Sequence, residues 1–468
     1  MNTTLIRPLG VGHEDSAPRR SRSRSAVGSM LFFGILIAAV VIGFFAFGPP
    51  SQPASGQRLL EMAPPGAGTE PYVAPAAATE TEKEIAKQFE TVRQFPDTVD
   101  AYVLLGRAYM QHVREIGDPG DYGRAQAALE EARARDAANV DALIGLGLLA
   151  LARHEFATAL SLGEQAVSLA PRSAGARGVV VDALTELGRY DEAVTTTQTM
   201  VDLRPDLGSL SRVAYQRELH GDTDGAIEAM ARAFDASPGT ATENREYIRV
   251  LIGDLHLLKG DVATAEQVYR ASLAASPGFV WALAGLGRVQ SFSGDFNGSI
   301  ASYQDAVAAL PAPELFIALG EAQEAAGLAA EAADTYEIVR AQQQLLAANG
   351  VNVDLELALF EANHGLPATA VDLARRAYDT QPNVKAADAL AWALHRAGRS
   401  AQAQPFAAEA VRLGGAHARP LYHAGVIALA LGDATGGRGY LDRASAAAAT
   451  LSPLEAAALR EIIGSTGS

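Results

Sequence analysis

The sequence predicts an all-α protein in which about ten helix-turn-helix repeats form an α-solenoid behind one N-terminal transmembrane helix. Three features lead to this prediction: a turn position that recurs with a fixed period, a set of prolines with the same period, and one long apolar run near the N-terminus. Recurrence of this kind indicates a repeat architecture, because each short unit can bury its apolar face only against its neighbours.

The recurring turn position separates the two apolar-periodic runs of each repeat. Histidine holds it once and glycine eight times, in the order His154, Gly188, Gly221, Gly260, Gly294, Gly327, Gly365, Gly398 and Gly432. Successive positions are 33 or 34 residues apart, except for two steps of 39 and 38 residues. Glycine suits this position because it readily adopts the left-handed backbone conformation at which one helix stops and its antiparallel partner starts.

A second set of positions gives the same period independently. Prolines end the second apolar run of six repeats, namely Pro171, Pro205, Pro238, Pro277, Pro311 and Pro382. The two longer steps indicate insertions of four or five residues around 238–245 and 342–351, which we expect to lengthen a helix or its connecting loop. A first, irregular repeat precedes these units, and its extra residues at 115–121 are predicted to form a loop.

The best-preserved unit runs from Trp281 to Pro311. Its small Gly287 lets two helices approach closely, and the ring of Tyr303 fills the space between them. Gly294 supplies the turn between the helices. This order of small, aromatic, glycine and proline positions resembles the tetratricopeptide repeat (TPR) family, and the resemblance covers about residues 97–450.

The resemblance implies stacked antiparallel helix pairs that form a right-handed superhelix, with the first helix of each pair lining a concave groove. Motifs of this kind are specific for a fold and unspecific for a role. The resemblance implies a scaffold that binds a protein or peptide client, as an adaptor or assembly factor. It leaves the identity of the client and the oligomeric state open.

The chain is predicted to divide into six segments. They are a basic cytoplasmic tail at 1–26, a transmembrane helix at 27–48, a Pro/Ala-rich linker at 49–80 that acts as a tether, a lead-in helix at 81–96, the repeat array at 97–450, and a polar-faced cap helix with a short tail at 451–468.

The transmembrane prediction rests on the run from Val27 to Gly48, which contains no charged residue. About 20 helical residues span the hydrocarbon core of a bilayer. Five arginines precede this run and only Arg58 follows it within twenty residues, so the tail is expected in the cytoplasm and the repeats outside it. We expect a single-pass protein of a bacterial inner membrane.

The alternative is a cleaved signal peptide, which would release a secreted or periplasmic soluble adaptor. The apolar run is longer than the usual 7 to 15 residue core of a signal peptide, and Pro49 and Pro50 disfavour cleavage directly after it. A cut after residues 54–56 remains compatible with the sequence.

Charge and composition exclude several function classes. The net charge of -16 disfavours nucleic acid as the main ligand, because phosphate binding needs a basic surface. The chain has no cysteine, and its nine histidines lack metal-ligand spacing, so no metal or cofactor is predicted. Nucleotide-binding, zinc-protease and hydrolase motifs are absent from the sequence, and we predict that the protein is not an enzyme.

The candidate binding residues follow from the family resemblance, which implies which positions of each first helix face the groove. The candidates are Tyr215, Tyr247, Asp254, Trp281, Arg288, Phe292, Glu321, Glu324, Trp392, His395, Arg396 and Tyr422. Trp, Tyr and Arg often carry binding energy at interfaces. Together with acidic residues, they suit an extended or helical peptide with apolar anchors and some basic residues. The alternative is that a tryptophan at such a position merely packs on the next helix.

Overall fold

A computed structural model describes residues 55–68, 71–237 and 242–466, and every regular element in these ranges is helical. The predicted tail at 1–26 and transmembrane helix at 27–48 lie outside the described residues. Within the described ranges, no helix combines the length and the apolar character needed to cross a membrane.

The helices are α1 (Ser55–Glu61), α2 (Glu80–Gln94), α3 (Val99–Ile116), α4 (Gly120–Arg135), α5 (Val140–Ala152), α6 (Phe156–Leu169), α7 (Ala174–Glu186), α8 (Tyr190–Leu203), α9 (Leu207–Leu219), α10 (Thr223–Ala236), α11 (Thr242–Leu258), α12 (Val262–Ala275), α13 (Val280–Phe292), α14 (Phe296–Ala309), α15 (Pro313–Ala325), α16 (Ala329–Ala348), α17 (Asp354–His364), α18 (Pro367–Thr380), α19 (Val384–Arg396), α20 (Ser400–Ala410), α21 (Ala418–Ala430), α22 (Ala434–Ala446) and α23 (Pro453–Thr466). A 3₁₀ turn at Ala448–Thr450 precedes α23.

Helices α3 to α22 form ten consecutive pairs, and each helix packs mainly on its pair partner and on the next pair. The all-helical repeat prediction is confirmed. Close approach within a pair depends on small residues, as predicted for the unit from Trp281 to Pro311, which is the sixth of these pairs. A Cβ on Gly287 would lie 3.0 Å from the ring of Tyr303, and Tyr303 is 5% exposed.

Aspartate side chains cap the N-terminus of the second helix in four pairs. An aspartate follows the turn glycine in four repeats, and its side chain accepts a hydrogen bond from the backbone N–H three residues later. These residues are Asp222, Asp261, Asp295 and Asp433. Each occupies one backbone donor that the first helical turn leaves without a partner.

The array coils back on itself, so that its second half contacts its first half along a line that we call the seam. At the seam, the turn between the two helices of each of repeats 1 to 5 contacts a loop from the second half of the array. The turn of repeat 1 meets the loop after repeat 6, and the same offset of five repeats holds up to repeats 5 and 10. The turn residues involved are Gly117, Arg153, His154, Glu186, Gly188, Glu218, Gly221 and Gly260, and their partners lie in the loops around 310–311, 350–352, 382–385, 414–417 and 446.

Several polar side-chain contacts cross the seam. Asn383 donates a hydrogen bond to the backbone oxygen of Glu186 at 2.8 Å, and the ammonium of Lys385 lies 3.0 Å from the Glu186 carboxylate. The Tyr190 hydroxyl accepts a hydrogen bond from the backbone N–H of Val384 at 3.0 Å. Because the contacting residues are almost 200 positions apart, the seam is tertiary structure between distant repeats.

The seam also explains why one turn position carries histidine. His154 has a φ of 60°, which is unusual for a residue other than glycine. Its Nδ1 lies 2.7 Å from the backbone oxygen of Asn352, and the backbone N–H of Asn352 donates to the oxygen of Arg153 at 3.0 Å. The imidazole therefore makes a contact across the seam that glycine lacks.

The second insertion helps to build this contact. Residues 342–351 lengthen α16, which has 20 residues, and they carry the following loop to Asn352 at the seam. The extra residues of the first repeat behave differently from the prediction of a loop at 115–121. They lengthen α3 to Ile116 and leave only a short connection that begins at Gly117 with a φ of 74°.

The described part of the predicted linker packs on the first repeat, although the sequence indicated a free tether. Met62, which follows α1, is 1% exposed, and its backbone oxygen accepts a hydrogen bond from the Tyr109 hydroxyl at 2.7 Å. Further along, Tyr72 meets the Phe89 ring edge to face at 6.4 Å. The sequence did not predict the burial of Met62, because it is an isolated apolar residue in a segment rich in proline and alanine.

We expect Met62→Ala to release this segment, because replacing a fully buried methionine costs about 2–5 kcal/mol. Leu60→Ala is the matched control, since Leu60 is 74% exposed. Limited proteolysis should cut residues 71–78 at least several times faster in the Met62 variant than in the Leu60 variant. Equal cleavage rates in both variants would contradict the docked arrangement.

The final helix α23 presents two faces. Arg460 and Glu461 are exposed, as expected of a cap helix, whereas Glu455 is only 7% exposed. The Glu455 carboxylate points inward, where it lies 3.9 Å from Arg419 and 3.5 Å from His423. Helix α23 also contacts α13 and α15 and so helps to close the interior of the coil.

Candidate functional site

The coil encloses a cavity that is lined mainly by the first helices of the repeats. One lobe has a volume of about 480 Å³ and a second lobe about 570 Å³. Five of the predicted groove residues line the first lobe, namely Tyr247, Asp254, Trp281, Arg288 and Glu321. Tyr215 lines the second lobe. The predicted groove is therefore partly covered by the second half of the array.

An ion pair stands between the two lobes. The Arg288 guanidinium donates to the Asp254 carboxylate at 2.9 Å, and the Tyr269 hydroxyl donates to the same oxygen at 2.7 Å. Burial acts to lower the pKa of Arg288, but the Asp254 carboxylate outweighs it and raises that pKa. The pair links repeats five and six, and both of its members line the two lobes.

Two aromatic rings form one wall of the first lobe. The rings of Tyr247 and Trp281 meet edge to face with centroids 6.5 Å apart. Tyr247 is 44% exposed although it is a large aromatic residue, and it lines the cavity. Exposed aromatic residues in a concave site typically act as contact surfaces for a ligand.

Carboxylates face the same lobe. Glu314 and Glu356 both line it. Burial raises the pKa of Glu314; its own backbone N–H opposes the rise and the nearby Glu356 carboxylate adds to it. Neither position was among the predicted groove residues, because the prediction considered only one set of positions in each first helix.

A histidine organises a further acidic corner of the lobe. His364 lies 3.2 Å from Glu321 through Nε2 and 3.7 Å from Glu324 through Nδ1. Its imidazole also stacks on the Tyr336 ring at 4.3 Å, and the Tyr336 hydroxyl donates to Glu324 at 3.0 Å. Burial raises the pKa of Glu321, and the contact with His364 opposes that rise.

The structure places the ninth-repeat candidates in a packed stack between repeats. Trp392 is 4% exposed, and its indole N–H donates to the side-chain oxygen of Asn363 at 2.7 Å. Its ring lies between the imidazoles of His423 and His395, at 4.0 and 5.3 Å. This is the arrangement in which a tryptophan packs on the neighbouring helix, the alternative left open by the sequence.

Three other candidates lie close to this stack or in the wall of the coil. Tyr422 is 6% exposed and lies 5.9 Å from the Trp392 ring, while the Arg396 guanidinium lies 5.7 Å from the same ring. Phe292 is half-buried in the apolar cluster around α11 and α13. These side chains support the wall of the coil.

Several cavity residues come from parts of the chain that the sequence did not connect with the groove. Arg419 lines both lobes, Lys385 lines the second lobe, and the Lys385 ammonium lies 5.4 Å from the Tyr215 ring. Coiling of the array brings these residues to the site. No cluster of metal-ligating side chains occurs in the residues that the structure describes.

Comparison with known families agrees with this geometry. One tetratricopeptide repeat model matches residues 150–214. A second tetratricopeptide repeat model matches residues 118–174, 218–278 and 285–345, and the two models together reach from the second helix of repeat one into the second helix of repeat seven. Over these residues the chain is a tetratricopeptide repeat protein.

Two solved structures match this TPR protein with low sequence identity and low TM-scores. The crystal structure of the APC/C hetero-tetramer Cut9-Hcn1 matches with 12% identity and a TM-score of 0.31, over 82% of this chain and 96% of that chain. The crystal structure of YrrB, a TPR protein with an unusual peptide-binding site, matches with 16% identity and a TM-score of 0.27, over 42% of this chain and 95% of that chain. No curated protein sequence matches significantly.

Proposed function

We propose that this TPR protein is a membrane-tethered scaffold that holds a segment of a client protein inside the coil, as an adaptor or assembly factor. The observation that supports the proposal is the cavity, in which Tyr247 and Trp281 face the charged residues Asp254 and Arg288. Aromatic anchors beside a few fixed polar groups are the usual construction of a binding site.

A protein segment fits this cavity better than the other common classes of ligand. The cavity wall alternates apolar, aromatic and charged side chains, as a peptide requires. The acidic chain disfavours nucleic acid, and the described residues show no cluster that would hold a metal ion. We therefore propose a binding role without catalysis for this cavity.

The tether and its orientation are part of the proposal and rest on the sequence. Val27–Gly48 is apolar and uncharged, and the five arginines before it favour a cytoplasmic N-terminus. The repeats would then lie outside the cytoplasm, on the outer face of a bacterial inner membrane. Anchoring raises the effective concentration of the client at the membrane without any new contact.

The binding proposal predicts that Tyr247→Ala combined with Trp281→Ala reduces client capture at least tenfold, because the two rings supply most of the aromatic surface of the first lobe. Capture is measured by crosslinking in cells, followed by identification of partners that the parent chain enriches specifically. Phe95→Ala is the matched control, since Phe95 is a large aromatic that is 63% exposed and does not line either lobe.

Two results would contradict parts of the proposal separately. Undiminished capture by a folded double variant removes the cavity as the binding site. A mature N-terminus after residues 54–56, or release of the protein from membranes by alkaline carbonate, removes the tether and favours the soluble adaptor. External protease that leaves the array intact in spheroplasts contradicts the orientation.

A further inference from the structure

We propose that the first lobe of the cavity contains a subsite for an organic cation, and that the client presents a lysine side chain to it. This inference rests on the proposed binding function and adds the chemistry of one anchor. The subsite, which we call the cation subsite, consists of the rings of Tyr247 and Trp281 and the carboxylates of Glu314 and Glu356.

The aromatic part of the subsite supplies the first argument. Edge-to-face packing of Tyr247 and Trp281 gives a corner with two differently oriented ring surfaces. The face of an aromatic ring carries negative potential and attracts an ammonium group within about 6 Å of its centroid. Such a corner contacts both the alkyl stem and the charged end of a lysine.

The carboxylates supply the second argument, because they have few charged partners within the described structure. No hydrogen bond or ion pair joins the Glu314 side chain to another described residue. Glu356 is 46% exposed, and its ion-pair contact among the described residues is with His154 at 3.9 Å. Glu314 lines the same lobe as Tyr247 and Trp281. Burial raises the pKa of Tyr247, and the Asp254 and Glu314 carboxylates raise it further.

The remaining charges of the lobe do not satisfy these carboxylates. Arg288 donates to Asp254, and the ion-pair contact of Arg419 is with Glu455. The cations of the lobe are therefore directed toward other partners, and neither arginine pairs with Glu314 or Glu356. A ligand ammonium would restore the balance and would lose less solvation than an ammonium buried without a partner.

The test uses the full-length chain in mild detergent with Trp392→Phe, which leaves Trp281 as the only tryptophan. The probes are three blocked pentapeptides, Ala-Leu-Lys-Leu-Ala and its norleucine and glutamate counterparts. We expect the lysine peptide to change Trp281 fluorescence saturably, with a dissociation constant roughly tenfold lower than that of the norleucine peptide. The glutamate peptide should bind most weakly.

Glu314→Gln should remove most of the preference for lysine while keeping the shape of the site. Glu331→Gln is the matched control, because both glutamates are exposed and lie in the first turn of a helix of the seventh repeat, whereas Glu331 does not line the cavity. Thermal unfolding followed by circular dichroism verifies that each variant is folded.

The outcomes separate this inference from the proposed function. Equal binding of the lysine and norleucine peptides, or a preference that survives Glu314→Gln, overturns the cation subsite and leaves the binding cavity in place. Failure of all three peptides to bind also overturns the subsite, whereas the function is then decided by crosslinking with the Tyr247 and Trp281 variants.

Discussion

Gly188→Ala should destabilise the protein considerably more than Gly398→Ala, although both glycines occupy the same turn position with φ of 72° and 75°. A Cβ at residue 188 would lie 2.3 Å from the backbone oxygen of Pro382 across the seam. A Cβ at residue 398 would meet nothing within 4 Å. The comparison thus isolates the seam from the cost of the left-handed backbone.

The expected magnitude follows from these two costs. Both variants lose about 1–2 kcal/mol because alanine disfavours the left-handed conformation. Gly188→Ala should lose about 1–3 kcal/mol more, since the backbone of Pro382 must move away and the contacts of Asn383 and Lys385 with Glu186 weaken. Chemical denaturation followed by circular dichroism measures the difference.

Further glycines allow the same comparison at other repeats. Gly221 and Gly260 also face backbone oxygens across the seam, at 2.7 and 2.5 Å from a built Cβ, whereas Gly294 and Gly327 have open space. The alanine substitution should destabilise the protein more at Gly221 and Gly260 than at Gly294 and Gly327. If the two groups lose equal stability, the array does not close in solution as it does here.

Replacing the buried His423 by alanine should have the second large effect, a loss of about 3–5 kcal/mol. The His423 Nδ1 lies 2.8 Å from Asp388, and its Nε2 lies 3.5 Å from Glu455, while both carboxylates are less than a tenth exposed. Removing the imidazole leaves two buried negative charges with weaker compensation. His395→Ala is the matched control, because His395 stacks on the same tryptophan from the other side and is only half-buried.

The same network predicts how stability depends on pH. Burial acts to lower the pKa of His423, but Asp388 and Glu455 outweigh it and raise that pKa. The stabilisation is therefore complete below the unfolded histidine pKa of about 6.5 and is lost as the pH rises through the higher folded value. Burial acts to raise the pKa of Glu455, but His423 and Arg419 lower it to about 2.

The Glu455 contribution has the opposite sign. It is present above the unfolded glutamate pKa of about 4.3 and is lost as the pH falls toward 2. The network should therefore stabilise the protein most between about pH 4.5 and 6.5. Thermal midpoints measured from pH 4.5 to 9 should fall less steeply on the alkaline side for His423→Ala than for the parent. Parallel curves would show that His423 does not gain charge on folding.

Local features of the sequence predicted the repeats well. The turn glycines, the small Gly287 opposite Tyr303 and the period itself arise from contacts within one repeat or between neighbours. The seam left no comparable signal, because Asn383 and Glu186 lie 197 residues apart and each is an ordinary polar residue in its own repeat. Contacts at that distance depend on how much each repeat rotates relative to the next.

For the candidate site, the sequence likewise predicted only those features that follow from the repeat pattern. Positions in α11 and α13 faced the cavity as the repeat pattern implied, including Tyr247 and Trp281. Trp392 occupies a corresponding pattern position, but the following repeat brings His423 over its ring and buries it. Which tryptophan stays accessible was decided by neighbours in space that the pattern does not specify.

Closure of the array changes how the protein should fold and unfold. In an open solenoid, stability is a sum of terms between neighbouring repeats, and the ends can fray alone. Here the Lys385–Glu186 contact spans 199 residues, which raises the contact order and couples the third repeat to the ninth. We therefore expect one cooperative transition and slow folding. During synthesis the early repeats form first with an uncovered concave face, so a client available at that time meets the site before the later repeats enclose it.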